Sequence, residues 1–405
     1  MKTQIKIFLN AAFFSLTIAN AQDMELLSSQ KQDLLHQQQN QYEAESEKLR
    51  NNWIAPLNLS GSYSYDKSAN GNHSDTKKIS ASINQDIFRS GGIVYQINYA
   101  DAKKRADTLE LKQQIANLNE ELFAALLNYK KSKYELKQSG KKLDNYDIEI
   151  FIKRQLYDVG KADITELNNA LMDKSSEQKM YVSLEYDIAR ERLEIAKLSD
   201  IDPESFPLYS FDLVQEDAYL QNNFQVRYAR AQSQTYEQQY NVTKSSYLPT
   251  VAINADAGYL KYGPKELYEG YEGDFYTAGV SINIPLTYNA SAAKEEAKAL
   301  YLKQTADAAD RARSAKASYA QSFELIKSYR RYIDISSKNI LLYNELIETV
   351  KAGVDAGSKT GYDLKTLENT KAIEEYNIKI NEINIQLELA KLHFAINTNK
   401  QSYKE

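Results

Sequence analysis

Two very long segments without proline constrain the fold of this chain more than any other feature. They cover residues 92–156 and 288–353, where apolar residues recur at helical spacing and charged residues fill the other positions. Because proline disrupts helix interiors, each segment can form one continuous helix of roughly 100 Å at a rise of about 1.5 Å per residue. The many Lys, Glu and Asn residues exclude a membrane-spanning helix, so the pattern predicts a coiled coil.

A short stretch that occurs twice follows these segments and predicts the tips of two helical hairpins. The copies lie 197 residues apart, so that Asp158 matches Asp355 and Gly160 matches Gly357. A glycine after an acidic residue supplies the left-handed backbone that ends a helix, and the polar residues after it can cap the next helix. The predicted tip residues are Asp158, Val159, Gly160, Asp355, Ala356 and Gly357.

The repeat extends over the whole chain, with residues 22–202 as the first structural repeat and 203–405 as the second, both within one domain. In each repeat two strands with alternating polar and apolar residues precede a hairpin. The predicted bounds are strands 57–66 and 78–88 with hairpin 91–198, then strands 250–260 and 276–287 with hairpin 288–398. Residues 66–77 are expected to form a polar loop, and residues 213–247 a single helix.

The alternating strands fit either a soluble sheet with one hydrated face or part of an outer-membrane barrel. Each strand carries about ten alternating residues, a length that suits a tilted crossing of the membrane. Four strands cannot close a barrel, and an open sheet is not tolerated in lipid. A barrel shared by three chains would have twelve strands, so the barrel interpretation predicts an oligomer.

The N-terminal residues and the overall composition indicate export from the cytoplasm. Residues 1–21 resemble a signal peptide, because Lys2 and Lys6 precede an apolar run and Ala19-Asn20-Ala21 fits a cleavage site. The chain has no cysteine, which excludes disulfides, thiol chemistry and a lipid anchor on cysteine. A net charge of −5, from 50 basic and 55 acidic side chains, gives no indication of a nucleic-acid partner.

No pattern of catalytic, cofactor-binding or metal-binding residues emerges from the sequence. His36, His73 and His393 lie far apart, without the spacing of metal ligands, and are expected to be surface or interface residues. A nucleophile elbow, a P-loop and a dinucleotide fingerprint are all missing. We therefore expect that this protein is not an enzyme, has no cofactor and does not energise transport itself.

The order of these elements resembles the TolC family of outer-membrane efflux proteins. The resemblance covers about residues 24–398 and depends on the duplicated plan, the two tips and two further segments. These segments are Tyr247-Leu248-Pro249-Thr250 before a strand and Asp86-Ile87-Phe88-Arg89-Ser90-Gly91-Gly92 after one. The resemblance implies a mainly α fold with β: duplicated long coiled-coil α-hairpins plus four antiparallel strands per chain. It further implies a homotrimer whose 12-stranded β-barrel lies in the lipid of the outer membrane and continues into a periplasmic α-helical tunnel.

The resemblance also implies partners and a gate at the periplasmic entrance. The expected partners are a periplasmic adaptor, or membrane fusion protein, and an inner-membrane pump, both engaged through the tips. Asp363 matches the first acid of a ring around the entrance, and Thr366 replaces the second. The implied gate residues are Asp363, Thr366, Glu368, Lys359, Glu166 and Thr165. The alternative for each acid is a residue at a helix N-terminus, where the helix dipole favours negative charge.

These features favour an exit duct of a tripartite efflux or type I secretion system, passively conducting substrates from periplasm to exterior. The alternative is a non-conducting periplasmic helical scaffold or adaptor. An adaptor usually needs a compact β-domain between its hairpin halves and an inner-membrane anchor, and the sequence shows neither. A third possibility is a family member without an open pore. Drugs, metal ions, peptides and proteins are all compatible with this pattern as cargo.

Overall fold

The computed structural model describes residues 25–207, 210–263 and 272–396, so the predicted signal peptide at residues 1–21 lies outside the described residues. Two strand pairs, each followed by a long helical hairpin, succeed one another along the chain. The helices are α1 (Ser29–Asn51), α2 (Gly92–Asp158), α3 (Ile164–Leu198), α4 (Glu216–Asn222), α5 (Phe224–Ser245), α6 (Ala290–Asp355) and α7 (Gly361–Phe394). The strands are β1 (Asn58–Lys67), β2 (His73–Phe88), β3 (Thr250–Gly263) and β4 (Glu272–Asn283).

The two long helices match the lengths that the proline-free segments predict. Helix α2 has 67 residues and α6 has 66, and α3 and α7 return from the tips with 35 and 34 residues. The backbone amide of Ser28, just before α1, donates to the carbonyl of Leu198 at the end of α3. The shorter helices α1 and α3 are therefore stacked end to end along α2.

The second repeat has the same junction, and it corrects the prediction of a single helix over residues 213–247. The backbone at Asn223 leaves the helical conformation and forms a bridge with Ile396, which separates α4 from α5. The side chain of Asn223 then accepts a hydrogen bond from Val226 N at 3.2 Å and caps α5. Pairing with the chain beyond α7 thus outweighs the local helix preference.

The four strands form one antiparallel sheet in the order β1-β2-β3-β4. The predicted bounds of three strands are wrong, and β3 extends to Gly263 rather than 260. The predicted loop at 66–77 is shorter, at residues 68–72, because β1 pairs with β2 as far as Lys67 and His73, so β2 begins five residues before the predicted start at 78. Strand β4 covers Glu272–Asn283 rather than 276–287, since Pro285 has no amide to donate to a sheet ladder.

The turn from the first strand pair into α2 joins the two segments that carry the family resemblance. Ser90 and Gly91 both have positive φ, at 50° and 87°, and redirect the chain from strand to helix. The hydroxyl of Ser90 donates to the carbonyl of Pro249 at 2.6 Å, and Arg89 pairs with Asp86 at 2.6 Å. Both segments are therefore structural, and they fix the junction between sheet and helices.

The core lies halfway along the helices, where the stacked helix ends meet. Phe123 of α2 contacts Phe211 and Phe394, with ring centroids 5.4 Å away in both cases. His393 is buried in this aromatic cluster rather than at the surface, and burial lowers the pKa of its imidazole. Because Phe211 belongs to the segment between the repeats and Phe394 to the end of α7, this cluster holds the two repeats together.

Within the described ranges, we find no helix that combines the length and the apolar character needed to cross a membrane.

Candidate functional site at the hairpin tips

Both tips end their first helix with the same turn. Gly160 has φ of 69° and Gly357 has φ of 70°, the left-handed conformation that the sequence predicts. In each tip the glycine amide donates to the carbonyl of the residue three positions before it. The amide of the next residue donates to the carbonyl five positions before itself. The four bonds are Gly160 to Tyr157, Lys161 to Leu156, Gly357 to Val354 and Ser358 to Gly353. This pattern is a Schellman motif, and it occurs at equivalent positions of the repeat.

The returning helices also start at equivalent positions, but their caps differ. The N-cap of α3 is Asp163, whose carboxylate accepts from Thr165 N at 3.0 Å and from the Thr165 hydroxyl at 3.2 Å. The N-cap of α7 is Thr360, and here the acid comes three residues later, at Asp363. The sequence places the start of this helix at about Asp163 and expects a polar cap there, but it does not single out Asp163, although an Asp followed three residues later by Glu166 is a recognisable start of a helix.

Thr360 and Asp363 form a complete capping box. The hydroxyl oxygen of Thr360 accepts from Asp363 N at 3.2 Å. In return Asp363 Oδ2 accepts from Thr360 N at 2.9 Å and from the Thr360 hydroxyl at 2.8 Å. These bonds lower the pKa of Asp363, with a smaller contribution from Lys359. Asp363 is therefore a fully charged, exposed carboxylate that also stabilises the start of α7.

The remaining predicted gate residues are separate from this box. Thr366 donates its hydroxyl to the carbonyl of Tyr362 at 2.9 Å, and Glu368 pairs with Lys365 at 3.5 Å. The side chain of Lys359 folds back over Gly353, where a Cβ would lie only 2.7 Å from Lys359 Cγ. A cation at the C-terminus of α6 complements the helix dipole.

The tips as a whole are exposed and acidic. Residues 157–167 and 354–364 carry five carboxylates and two lysines. All five acids are exposed in the chain: Asp158, Asp163, Glu166, Asp355 and Asp363. Several copies of this surface around one axis would concentrate negative potential at their centre. In the described part of the chain, no group of three or more His, Cys, Asp or Glu side chains is placed so that it could hold a metal ion.

Contacts that the sequence does not predict join the two hairpins near their tips. Helices α2 and α7 meet through polar side chains: Asn369 donates to Asn145 Oδ1 at 2.9 Å, and Gln138 donates to Asn377 Oδ1 at 2.6 Å. Closer to the tips, the rings of Phe151 and Tyr362 lie 5.1 Å apart. Helical periodicity places such residues on a face, but it does not identify the partner helix.

Comparison with known proteins assigns this arrangement to a family. The family described as outer membrane efflux protein matches residues 25–199 and 217–390. These two ranges correspond closely to the two repeats. No curated protein sequence gives a significant match.

Solved outer-membrane channels share the fold of the chain. The outer membrane protein VceC of Vibrio cholerae has a TM-score of 0.72 at 15% identity, over 91% of this chain and 92% of VceC. The Campylobacter jejuni channel CmeC has a TM-score of 0.69 at 13% identity, over 92% and 84%. The open state of the Neisseria gonorrhoeae channel MtrE has a TM-score of 0.69 at 15% identity, over 92% and 86%.

Proposed function

Because the chain belongs to the outer membrane efflux protein family, we propose that it forms a trimeric exit duct for substrates leaving the periplasm. Its sheet would contribute to a barrel in the outer membrane, and its helical hairpins to a tunnel in the periplasm. Efflux through such a duct is passive conduction rather than catalysis. The observation that carries this proposal is the sorting of side chains between the two faces of the sheet.

The register of the four strands places apolar side chains on one face. Leu59, Ile79, Tyr276, Val280 and Ile282 all belong to this face and are between 69% and 89% exposed in the chain. A soluble protein rarely exposes so continuous an apolar surface. This face suits contact with lipid acyl chains.

The opposite face of the sheet is polar. It carries serine, asparagine and aspartate at the positions that pair across the strands, such as Ser60 with Ser80 and Ser82 with Asp256. The hydroxyls of Ser60 and Ser80 lie 3.1 Å apart, and Lys78 pairs with Asp256 at 3.1 Å. Such a surface suits the water-filled lumen of a barrel.

The edges of the chain support assembly with further copies. Strands β1 and β4 each have one unpaired edge among the described strands, and an open edge is not tolerated in lipid. Helices α3 and α6 lie at the edges of the helical layer, where each carries a stripe of exposed apolar residues. The stripes are Val182, Tyr186 and Leu193 on α3, and Tyr332, Ile335 and Leu342 on α6. We infer that β4 and α6 of one copy pack against β1 and α3 of the next, in a ring that closes after three copies.

The tips would form the periplasmic entrance of this duct. Three copies of Asp363, each kept charged by Thr360, would surround the opening and favour cations within it. The exposed turns at Gly160 and Gly357 would engage a periplasmic adaptor protein and, through it, an inner-membrane pump. Both partners follow from family membership, and the exposure of the turns supports the assignment.

Conductance of the purified protein in planar lipid bilayers tests the proposal. We expect discrete, cation-selective openings from the wild-type protein. Asp363→Asn removes the charge but keeps an acceptor oxygen for Thr360, so it should reduce cation selectivity. Asp217→Asn is the matched control, since Asp217 is an exposed acid in the first turn of α4, far from the tips in sequence, and should leave selectivity unchanged.

Two results would contradict the proposal at different levels. Protein that neither inserts nor conducts, and is instead a soluble rod, would favour the non-conducting scaffold. Openings with the same selectivity in the wild type and Asp363→Asn would retain the duct but remove Asp363 from its entrance.

A further inference from the structure

A cavity of about 170 Å³ lies halfway along α2, next to residues 199–207 at the start of the segment that connects the two repeats. Three lysines of α2 line it, Lys130, Lys133 and Lys137, at spacings that place them on one helix face. Pro203 and Phe206 of the connecting segment form an apolar part of the wall. The cavity is thus lined by both positive charge and apolar side chains, and conduction through the proposed duct does not require such a site.

Among the described residues that line the cavity, one is acidic, and its carboxylate is already engaged. Glu204 accepts two hydrogen bonds from Lys133, at 2.7 and 2.8 Å, and Arg192 lies 3.7 Å from Glu204 Oε1. Lys133 and the hydroxyl of Tyr129 lower the pKa of Glu204, so its charge is fixed. One carboxylate therefore faces four cations, counting Arg192.

Lys130 and Lys137 keep their charges available. Both are exposed, and neither forms an ion pair with any residue that the structure describes. Lys137 instead lies 5.7 Å from the ring centroid of Tyr134. The other lysines in residues 125–158 of α2 do have acidic partners, as Lys141 has in Asp144. Within residues 125–158 of α2, the lysines without an ion pair to any described residue are therefore the two that line the cavity.

A larger cavity of about 460 Å³ adjoins the cationic one and shares Lys130 and Tyr134 with it. Leu127, Ile383 and Ile385 form the apolar part of its wall. Lys379 and Glu382 also line it, and they neutralise each other in an ion pair of 3.0 Å. An occupant that spans both cavities would place an anionic group among the lysines and an apolar group beside the isoleucines. A free phosphate or sulfate ion would use only the first of these sites.

The position along the helix limits what can reach these cavities. At about 1.5 Å per residue, Lys130 lies roughly 55 Å from the start of α2 at Gly92 and roughly 40 Å from its end at Asp158. A lipid headgroup at the base of the sheet and a protein docked only on the tips are both too far away. In the proposed duct the connecting segments must lie outside the tunnel, because three copies inside would obstruct it. The cavities would then open to the periplasm.

We propose that the paired cavities bind an acidic and apolar peptide segment of a periplasmic protein partner. A carboxylate of the segment lies between Lys130 and Lys137, and a neighbouring apolar side chain enters the larger cavity. Charge complementarity gives the site its preference, and the aromatic and aliphatic walls distinguish a peptide from a simple anion. This contact is separate from the tips and would attach a second protein to the middle of the rod.

Fluorescence anisotropy with the full-length protein in neutral detergent tests this proposal. The probe is a labelled peptide of alternating Glu and Leu, compared with a peptide that has Gln in place of Glu. Lys130→Gln with Lys137→Gln should weaken binding of the acidic peptide about tenfold, since each exposed ion pair contributes up to about 1 kcal/mol. The matched control is Lys104→Gln with Lys316→Gln, two exposed helical lysines outside both cavities, and it should bind like the wild type.

Three outcomes would overturn the proposal. Equal affinity of the cavity variant and the control variant would show that these lysines do not bind the peptide. Equal binding of the Glu and Gln peptides would show that charge is irrelevant. Soluble peptidoglycan fragments or inorganic phosphate that bind through Lys130 and Lys137 more tightly than the peptide would identify a glycan or a simple anion as the ligand. All substituted lysines are exposed, so we expect every variant to fold, and circular dichroism provides the check.

Discussion

The backbone amide of Ser28 donates to the carbonyl of Leu198 at 2.8 Å, and the second repeat reproduces this bond between Phe224 and Ala395 at 2.9 Å. Each bond joins the start of a short helix to the end of a returning helix. The two repeats are therefore equivalent at their midpoints as well as at their tips. This equivalence gives each change at one position a natural counterpart 196 or 197 residues away.

The tip glycines are predicted to matter for their backbone conformation alone. A Cβ added at Gly160 or Gly357 would meet no atom within 4 Å, so Gly→Ala at either position introduces only the strain of positive φ. We expect each substitution to destabilise its tip by about 1–2 kcal/mol, measured as the free energy of local opening by hydrogen exchange. Gly361→Ala is the control, because it also has free space but no positive φ. A loss of the same size in Gly361→Ala would contradict this explanation.

The capping box predicts that the second tip loosens in acid. Hydrogen bonds from Thr360 lower the pKa of Asp363 below its usual value. A depressed pKa contributes stability that is fully present above the unfolded-state value and is lost as the pH falls through the folded-state value. We therefore expect faster hydrogen exchange, corrected for the intrinsic rate, over residues 354–370 as the pH falls below the usual aspartate range. Asp363→Asn should remove this pH dependence, and its persistence in that variant would assign it to another group.

Gly258 is predicted to be essential for pairing the two halves of the sheet. A Cβ at this position would lie 2.2 Å from the carbonyl oxygen of Ile79 and 2.8 Å from Ser80 Cα, and backbone atoms in a ladder cannot move aside. We expect Gly258→Ala to cost about 3 kcal/mol and to prevent assembly of the proposed trimer, measured as loss of an oligomer band when outer-membrane fractions are run unheated on a gel. Gly279→Ala lies in the same sheet with no atom within 4 Å and should assemble normally. Normal assembly of Gly258→Ala would show that β2 and β3 do not pair as closely as described.

The sequence predicts the plan of this fold well because its strongest signals are local. Proline positions and helical periodicity identify the long helices, and glycine after an acid identifies both tips. Strand ends were predicted less well, since pairing across the sheet decides them. Asp75 looks like a loop residue by itself, yet it pairs with Gly263 in the neighbouring strand. The helix break at Asn223 has the same origin, because its partner Ile396 lies at the far end of the chain.

At the tips, the sequence predicts where the acidic residues lie along the helices better than it predicts which groups they bind. It placed Asp363 at the start of α7, and the structure adds that Thr360 holds this carboxylate. Asp163 was not singled out because the comparison of the two tips aligned Glu166 with Asp363, whereas the cap of α3 uses an acid three residues earlier. The polar contacts between α2 and α7 could not be predicted, because periodicity does not say which two helix faces meet.

Those polar contacts lead to a prediction about opening of the proposed duct. Asn369 is almost fully buried and donates to Asn145 Oδ1 at 2.9 Å, while Asn145 donates to the Thr370 hydroxyl at 3.3 Å. Asn369→Ala removes the first bond and leaves a polar group of Asn145 unsatisfied, which costs about 1–3 kcal/mol. Because this loss weakens the attachment of the second hairpin to the first, we expect longer or more frequent openings in planar bilayers. Asn168→Ala is the control, since Asn168 is exposed and its side chain donates a hydrogen bond to Met172 of its own helix rather than to another helix. Unchanged gating in Asn369→Ala, with normal assembly, would show that the hairpins do not separate along this contact.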